Sequence, residues 1–175
     1  AGIDANFLTA TVLGDSLVTY TELAAIDPKV VTTIGGVVYF DLIGSDFYVP
    51  AGTTLNLSDA GAAITEVSIK TYGSNDYIRL DGNVITTRTG NPSVDLTLVN
   101  GYASGPALTI DGTVTLDAGA GQNAGDLNVS ALRGSLYIGG VITSLGSSGA
   151  TATGGGDVDT FSFKDTYIRA GILQS

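Results

Sequence analysis

Short stretches in which apolar and polar residues alternate recur along almost the whole 175-residue chain, and most end at Gly, Asn, Asp or Pro. Alternation with a period of two is the pattern of a β-strand that buries one face. The most continuously apolar stretch is Val37–Ile43, which we expect to form a central strand buried on both faces. The pattern therefore predicts an all-β protein.

At most one short helix is expected, over Tyr20–Ile26. Thr19 and Glu22 have the spacing of a capping box, in which each side chain accepts the other residue's backbone N–H. Pro28 disfavours helical geometry at the residue before it, so the helix should end there.

The turn signals are spaced as in a sandwich and separate roughly eleven to thirteen short strands. We therefore expect a two-sheet β-sandwich with jelly-roll-like topology, and no exact internal repeat is visible. Residues 1–13 are expected to be an N-terminal donor arm that leads into the first strand. Residues 14–175 are expected to form a single β-sandwich domain.

Two turn regions give more specific expectations. A two-residue Gly82-Asn83 loop predicts a hairpin between Tyr77–Asp81 and Val84–Arg88, because both sets of cross-strand pairs are sensible. Around Asp111-Gly112 a hairpin would split the apolar residues between two faces. Read straight through, the apolar residues share one phase, so we expect one long strand with a glycine kink; they are Leu108, Ile110, Val114 and Leu116.

The composition suggests that much of the outer surface is covered. Charged residues make up 14% of the chain, there are 25 glycines, and the mean hydropathy is +0.31. Typical soluble domains contain about 25% charged residues. One interpretation is that the outer face is buried against copies of the same chain. The alternative is a Thr-rich sandwich with a neutral surface.

The charge and the missing residue types exclude several functions. A net charge of −10 without a basic patch argues against nucleic acid and anionic membranes as partners. The chain has no Cys and no His, which argues against disulfides, zinc, copper and histidine acid–base chemistry. A carboxylate pair for glycoside hydrolysis stays open, but no pair stands out and there is no Trp. We expect no enzymatic activity and no transmembrane helix in the mature chain.

The first thirteen residues, AGIDANFLTATVL, carry one charge and change phase in the middle. Ile3, Ala5 and Phe7 share one phase, whereas Leu8 opens the opposite one. A strand held in one sheet should not change face without a bulge. We therefore expect residues 1–7 to be donated to a neighbouring subunit. The absence of Met suggests a processed N-terminus, produced either by an aminopeptidase that removed an initiator Met or by a signal peptidase. Because the rest of the chain looks extracellular, we expect signal-peptide cleavage and an extracellular or cell-surface protein.

Aspartates in turns suggest calcium as a structural cofactor, and no other cofactor is expected. Asp157 and Asp159, with Asp165 nearby, are the preferred candidates, because Asp157 and Asp159 end a glycine-rich loop that a metal would order. Asp41 with Asp46, and the loop 117–126, are further candidates. The competing explanation is that Asp is simply a common turn residue.

Asn56 and Asn128 lie in N-x-S sequons and are candidate glycosylation sites, although so short a pattern also occurs by chance. Two groups of aromatic residues are candidate ligand platforms, with core packing as the expected role. They are Tyr39-Phe40 with Phe47-Tyr48, and Phe161 with Phe163.

The whole profile resembles secreted archaeal filament and tube subunits: the bundling pili, the thread pili and the cannulae, together with the bacterial TasA/camelysin biofilm-fibre family. The shared features are the N-terminal AGIDANFLTATVL, the absence of Cys, the abundant Thr and Gly, the short strands, the Asp-rich turns and the sequons. The resemblance implies a jelly-roll subunit that polymerises by donor-strand complementation, and in cannulae an association with calcium. It would give Ile3, Ala5 and Phe7 the role of a donor strand. The scarcity of Lys and Glu departs from what hyperthermophile proteins show.

We therefore expect a structural subunit of an extracellular filament or tube, with identical subunits as its partners. A calcium-dependent carbohydrate-binding module is one alternative. A viral capsid or decoration protein with a jelly-roll fold is another.

Overall fold

The structure is a computed structural model that describes residues 16–26, 28–147, 153–169 and 171–174. Within them the chain winds into a parallel β-solenoid of about four turns. The helix is α1 (Tyr20–Ile26), and a short 3₁₀ turn covers Pro28–Val30. The strands are β1 (Leu17–Thr19), β2 (Val31–Ile34), β3 (Val37–Ile43), β4 (Phe47–Val49), β5 (Thr54–Asn56), β6 (Glu66–Tyr72), β7 (Ile78–Leu80), β8 (Asn83–Ile85), β9 (Asp95–Asn100), β10 (Pro106–Ile110), β11 (Thr113–Thr115), β12 (Leu127–Ala131), β13 (Ser135–Ile138), β14 (Val141–Ser144), β15 (Val158–Ser162), β16 (Thr166–Ile168) and β17 (Ile172–Gln174).

Three sheets form the walls of the solenoid. Sheet A has the order β1-β5-β8-β11-β14-β17, sheet B the order β15-β12-β9-β6-β3-β2, and sheet C the order β16-β13-β10-β7-β4. From β3 onward the chain visits sheets B, C and A in turn, and we call each such set of three strands a rung. Rung 1 is β3-β4-β5 and rung 5 is β15-β16-β17. Neighbouring strands are parallel except β2 and β3, which are antiparallel.

The predicted two-sheet jelly-roll sandwich is therefore wrong, although the all-β class with one short helix is confirmed. Alternation reports that one face of each strand is buried, but it does not report which strand lies alongside. In this fold each strand of a rung pairs with the corresponding strand one rung away, 28 to 31 positions along the chain.

The core consists of columns of apolar side chains, one from each rung, stacked in register. In sheet B the strand register aligns Val38, Val67, Leu96 and Leu127, all of them buried. Because each side chain packs on its counterpart in the next rung, the apolar surface is continuous along the solenoid axis. The predicted face of Val94, Leu96 and Leu98 is confirmed as buried.

Glycines form the corner between sheets C and A, and they explain two errors in the predicted turns. The predicted hairpin around Gly82-Asn83 is wrong, because β7 lies in sheet C and β8 in sheet A. Gly112 makes the same bend between β10 and β11, so the predicted single strand is two strands in different sheets. The predicted common phase is confirmed: its four apolar residues are fully buried, because both strands face one core.

The end of the solenoid beside rung 1, which we call the closed end, is covered by α1, by β1 on β5 and by β2 on β3, and β4 is its one described strand without a further partner. The capping box is confirmed: Thr19 N–H donates to Glu22 Oε2 at 2.9 Å, and Glu22 N–H donates to Thr19 Oγ1 at 3.3 Å. Leu23 of α1 is fully buried. Val37–Ile43 forms the predicted strand but buries only one face, because Tyr39 and Ile43 point to solvent.

Candidate functional site

The two ends of the solenoid differ, and the end formed by rung 5 is open. Within the described residues, the outer edges of β15, β16 and β17 pair with no further strand. Apolar side chains are exposed there, including Phe161 at 52% and Ile168 at 47%. Ile168 continues the column of Ile110 and Ile138, which are buried in the preceding rungs. Rung 5 therefore presents unpaired backbone groups together with the end of the apolar core.

A groove on the outer face of sheet C is a second candidate site. It encloses about 620 Å³, and Tyr48, Arg79 and Thr109 lie in it on three successive rungs. Tyr77, Pro106 and the carboxylates of Asp46 and Asp111 complete the lining. Aromatic rings with a few polar groups are typical of small-ligand sites.

Two side chains of the groove, Tyr48 and Arg79, are held by the carboxylate of Asp81. Asp81 Oδ2 accepts a hydrogen bond from Tyr48 OH at 3.3 Å and forms an ion pair with Arg79 Nε at 2.8 Å. The guanidinium of Arg79 lies 5.7 Å from the ring centre of Tyr48. The pKa of Arg79 is raised, first by the hydrogen bond to Asp81. The arrangement fixes an aromatic ring and a cation side by side at the surface.

The same outward row continues beyond the groove. Tyr137 and Tyr167 follow Thr109 in register, and their rings stack with centres 4.7 Å apart. The row therefore carries three tyrosines, an arginine and a threonine along the solenoid axis, at a strand spacing of about 4.8 Å.

The three aspartates preferred for calcium are not brought together. Asp157 precedes β15 and Asp159 lies within it, whereas Asp165 follows it, in the turn before β16. In the part of the chain that the structure describes, no three acidic side chains form a group able to hold a metal. Asp41 and Asp46 are engaged separately, Asp41 by the hydroxyl of Tyr72 and Asp46 by the backbone N–H of Tyr77. Calcium binding stays a prediction.

The two sequon asparagines lie on different sheets, both in outward positions and partly buried. Asn56 ends β5 and accepts the backbone N–H of Ser58 at 2.9 Å. Asn128 lies in β12 between Thr97 and Asp159. Glycosylation of either residue stays a prediction.

The two groups of aromatic residues differ in their burial. Phe40 and Phe47 are buried in the core as expected, while Tyr39 and Tyr48 point outward from sheets B and C. For Phe161 and Phe163 the expectation of core packing is wrong: both are exposed, because they face outward from sheet B, with Phe161 in register with Ser130.

Local patterns in the sequence do not identify the residues of the groove as a set. Tyr48, Arg79 and Thr109 are about 30 positions apart, and only a repeat brings them together. The repeat is visible in glycines at equivalent corners, which would have revealed it; they are Gly52, Gly82, Gly112, Gly140 and Gly171.

The predicted donor residues Ile3, Ala5 and Phe7 lie outside the described residues. In the described ranges, no helix is long and apolar enough to cross a bilayer. No protein family model matches the chain, and comparisons with curated proteins and with solved structures give no significant match.

Proposed function

We propose that this protein is a structural subunit that assembles end to end with copies of itself. The observation that carries the proposal is the difference between the two ends of the solenoid. At one end α1, β1 and β2 cover rung 1 and, of its described strands, leave only β4 without a further partner, whereas at the other end all three strands of rung 5 present unpaired edges, together with exposed apolar side chains. Exposed strand edges are natural sites for β-augmentation.

The occupant that we propose for the open edge is the segment 1–13 of a second copy. Ile3, Ala5 and Phe7 alternate with the period of the inward-facing core positions, as Val38, Phe40 and Leu42 do in β3. A strand with that pattern would continue the core columns beyond rung 5. The small charged fraction of the chain also favours burial of surface between copies.

The length of the segment is sufficient. Thirteen extended residues span about 43 Å, whereas the five rungs together rise about 20 Å. The segment enters the described chain at β1, beside the closed end. In a head-to-tail arrangement it lies next to the open end of the neighbouring copy. The same length also permits the segment to fold back onto its own rung 5, an outcome that the experiment must distinguish.

The test compares two double variants of the full chain. Ile3→Ser with Phe7→Ser removes the apolar phase, and Asp4→Ser with Asn6→Ser changes the opposite phase as a matched control. We expect the first variant to remain monomeric and the control to polymerise like the unmodified protein, measured by light scattering against concentration and by negative-stain imaging. A first variant that polymerises normally, or an unmodified protein that stays monomeric at every concentration, overturns the proposal.

A second variant tests the open edge directly. Phe163 N–H donates to Ala131 O at 3.0 Å, so by alternation the N–H of Thr160 points away from β12, to the free edge. Thr160→Pro therefore removes a donor that the solenoid does not use and blocks a new strand. We expect a folded chain that no longer elongates. Unchanged elongation would place the contact elsewhere.

The groove on sheet C favours a second candidate function, the binding of a neutral oligosaccharide. Tyr48 offers a ring face, and Arg79, Thr109 and Asp111 offer donors and acceptors for hydroxyl groups. Asp46, Asp81 and Asp111 outnumber the single arginine, which disfavours an anionic saccharide. Titration calorimetry with a panel of neutral hexasaccharides tests this. Tyr48→Ala should abolish binding and Tyr39→Ala, on sheet B, should not; the absence of binding across the panel contradicts it.

A further inference from the structure

A ridge of exposed apolar side chains runs along the corner between sheets B and C. Ile43 is 67% exposed and Phe163 is 70% exposed. The register of sheet B and the bonds that extend it align four of these residues, and on rung 3 the aligned position is Gly101, with the exposed Tyr102 next to it. We call this set the apolar ridge: Ile43, Tyr72, Tyr102, Leu132 and Phe163.

Cations are concentrated beside the apolar ridge. Lys70 Nζ lies 4.8 Å from the ring centre of Tyr72, and Arg133 lies 5.6 Å from that of Tyr102. Lys164 follows Phe163 and donates to the carbonyl oxygen of Ser104 at 2.7 Å. In a chain with seven Lys and Arg and a net charge of −10, three cations lie along one corner, with Asp41 beside them as the register partner of Lys70.

The opposite margin of sheet B carries a column of acids. We call Glu66, Asp95, Asp126 and Asp157 the acid ladder. Glu66 and Asp95 are register partners, and the backbone N–H of each later residue donates to the carboxylate before it: Asp126 to Asp95, and Asp157 to Asp126, both at 2.8 Å. The acid ladder and the apolar ridge therefore run parallel, at the two ends of the same strands.

The central column of outward residues between these margins carries one charge, at rung 5. That column contains Tyr39, Ser68, Thr97, Asn128 and Asp159, all in register. No loop interrupts it, because the strands of sheet B continue from one margin to the other.

We propose that sheet B is a lateral interface at which two copies of this chain pair face to face. A two-fold axis parallel to the solenoid axis reverses the strand direction between the copies. Each apolar ridge with its cations then faces the acid ladder of the other copy, rung opposite rung. In that arrangement Arg133 and Asp126, both of rung 4, face each other across the pair. The contact is isologous, so every interaction occurs twice.

The size of the face sets the strength of the pairing. Strands of up to seven residues and five rungs give a face of about 20 by 23 Å, so a pair buries about 1,000 Å² in total. That is the lower limit of a specific interface, and an isolated pair should be weak. Copies joined end to end would add such contacts along a filament, where avidity strengthens them. The pairing itself does not depend on end-to-end assembly.

A second copy is favoured over an anionic membrane as the occupant. The chain itself supplies the complementary acids, at the same rung spacing as the cations. A net charge of −10 also repels an anionic lipid surface.

The test is a double-mutant cycle in the Thr160→Pro chain, in which end-to-end growth is blocked. Arg133→Gln removes a cation of the ridge. Asp126→Asn removes an acid but keeps the oxygen that accepts the N–H of Asp157. By sedimentation velocity we expect each substitution to weaken pairing about two- to twenty-fold, since two exposed ion pairs are lost per dimer. The double variant should weaken pairing by a smaller factor than the product of the two single factors, because both substitutions remove the same interaction.

The matched control is Arg169→Gln, which removes an exposed cation after β16, away from sheet B. It should leave pairing unchanged, whereas raising NaCl from 50 to 500 mM should weaken pairing. Effects of Arg133→Gln and Asp126→Asn that simply multiply, or an equal effect of the control, overturn the proposal. The proposal is also overturned if Arg133→Gln leaves self-association unchanged but abolishes binding to phosphatidylserine-containing vesicles. The apolar ridge would then be a membrane contact. Filament width in the unmodified protein reports this interface, and filament length reports end-to-end assembly.

Discussion

The backbone N–H of Asp126 donates a hydrogen bond of 2.8 Å to Oδ1 of Asp95, the residue one rung before it. Burial raises the pKa of Asp95, and the neighbouring charges of Asp126 and Glu66 raise it further. An acceptor is therefore needed at this position, while a negative charge there is unfavourable.

We predict that Asp95→Asn stabilises the protein at neutral pH, by less than about 1 kcal/mol at this partly exposed site. Asparagine keeps the acceptor oxygen and removes the charge. Because the folded-state pKa of Asp95 is raised, the folded state holds its proton more tightly than the unfolded state. The ionised carboxylate therefore destabilises the fold above that pKa, and the penalty disappears below the unfolded value of about 3.9.

Urea unfolding at a series of pH values measures the effect. The difference in unfolding free energy between Asp95→Asn and the unmodified protein should be largest near pH 7 and should approach zero near pH 3. A variant that is less stable than the unmodified protein at pH 7 would show that the charge of Asp95 is favourable.

Gly112 lies between Gly82 and Gly140 in the corner where rungs pass from sheet C to sheet A. A Cβ at position 112 would overlap the carbonyl oxygen of Gly82. Gly112→Ala should destabilise the fold by about 2–4 kcal/mol, because backbone must move to relieve the overlap. Gly61→Ala is the control, since a Cβ there meets open space. Thermal unfolding followed by circular dichroism should separate the two variants, and equal melting temperatures would contradict the prediction.

Asn100 occupies an inward-facing position in a core column, between Thr71 and Ala131. Its amide is fully buried, donates to the carbonyl oxygens of Asp76 and Ala107, and accepts the N–H of Ala103 at 3.0 Å. Asn100→Ala leaves these backbone groups unpaired and should cost about 2–4 kcal/mol.

The matched control for Asn100→Ala is Asn128→Ala, an asparagine on the outer face of sheet B, where we expect a change of less than about 0.5 kcal/mol. Chemical denaturation measures both variants. A loss at position 128 as large as that at position 100 would contradict the assigned role of Asn100.

The guanidinium of Arg88 is held by hydrogen bonds to backbone carbonyl oxygens rather than by an ion pair with a carboxylate. It is 6% exposed, its Nε donates to Pro92 O at 2.8 Å, and its Nη1 donates to Ile64 O at 2.8 Å. Burial lowers the pKa of its guanidinium. Arg88→Met should destabilise the fold by about 2–4 kcal/mol and should speed amide exchange in loops 58–65 and 89–94, because carbonyls in both loops lose their donor. Arg169→Met is the exposed control; exchange that is unchanged in both loops would contradict the prediction.

Local patterns in the sequence predicted local structure well. The helix Tyr20–Ile26 was predictable because its cap lies within four residues, and the common phase of Leu108 and Val114 was predictable because one core lies on one side of the chain. Strand pairing was not predictable in this way. The mistaken hairpin at Gly82-Asn83 had sensible pairs, yet its two strands pair with residues about 30 positions away.

The groove shows the same limit. Tyr48 and Arg79 look unrelated in the sequence, and their adjacency follows from the register of β4 with β7. The exposure of Ile168, whose register partner Ile138 is buried, likewise depends on its rung being the last described one, and an isoleucine in an alternating stretch carries no such information. Position along the solenoid axis decides both cases, and only the repeat reports that position.

The closed end and the open end also give the molecule a mechanical direction. Each rung contacts chiefly its neighbours, so an interior rung is held from two sides and rung 5 from one. Under a stretching force the chain should unravel from β17 backward, one rung of about 30 residues at a time, with α1 released last. A fibre made of such units would lengthen in equal steps before it broke.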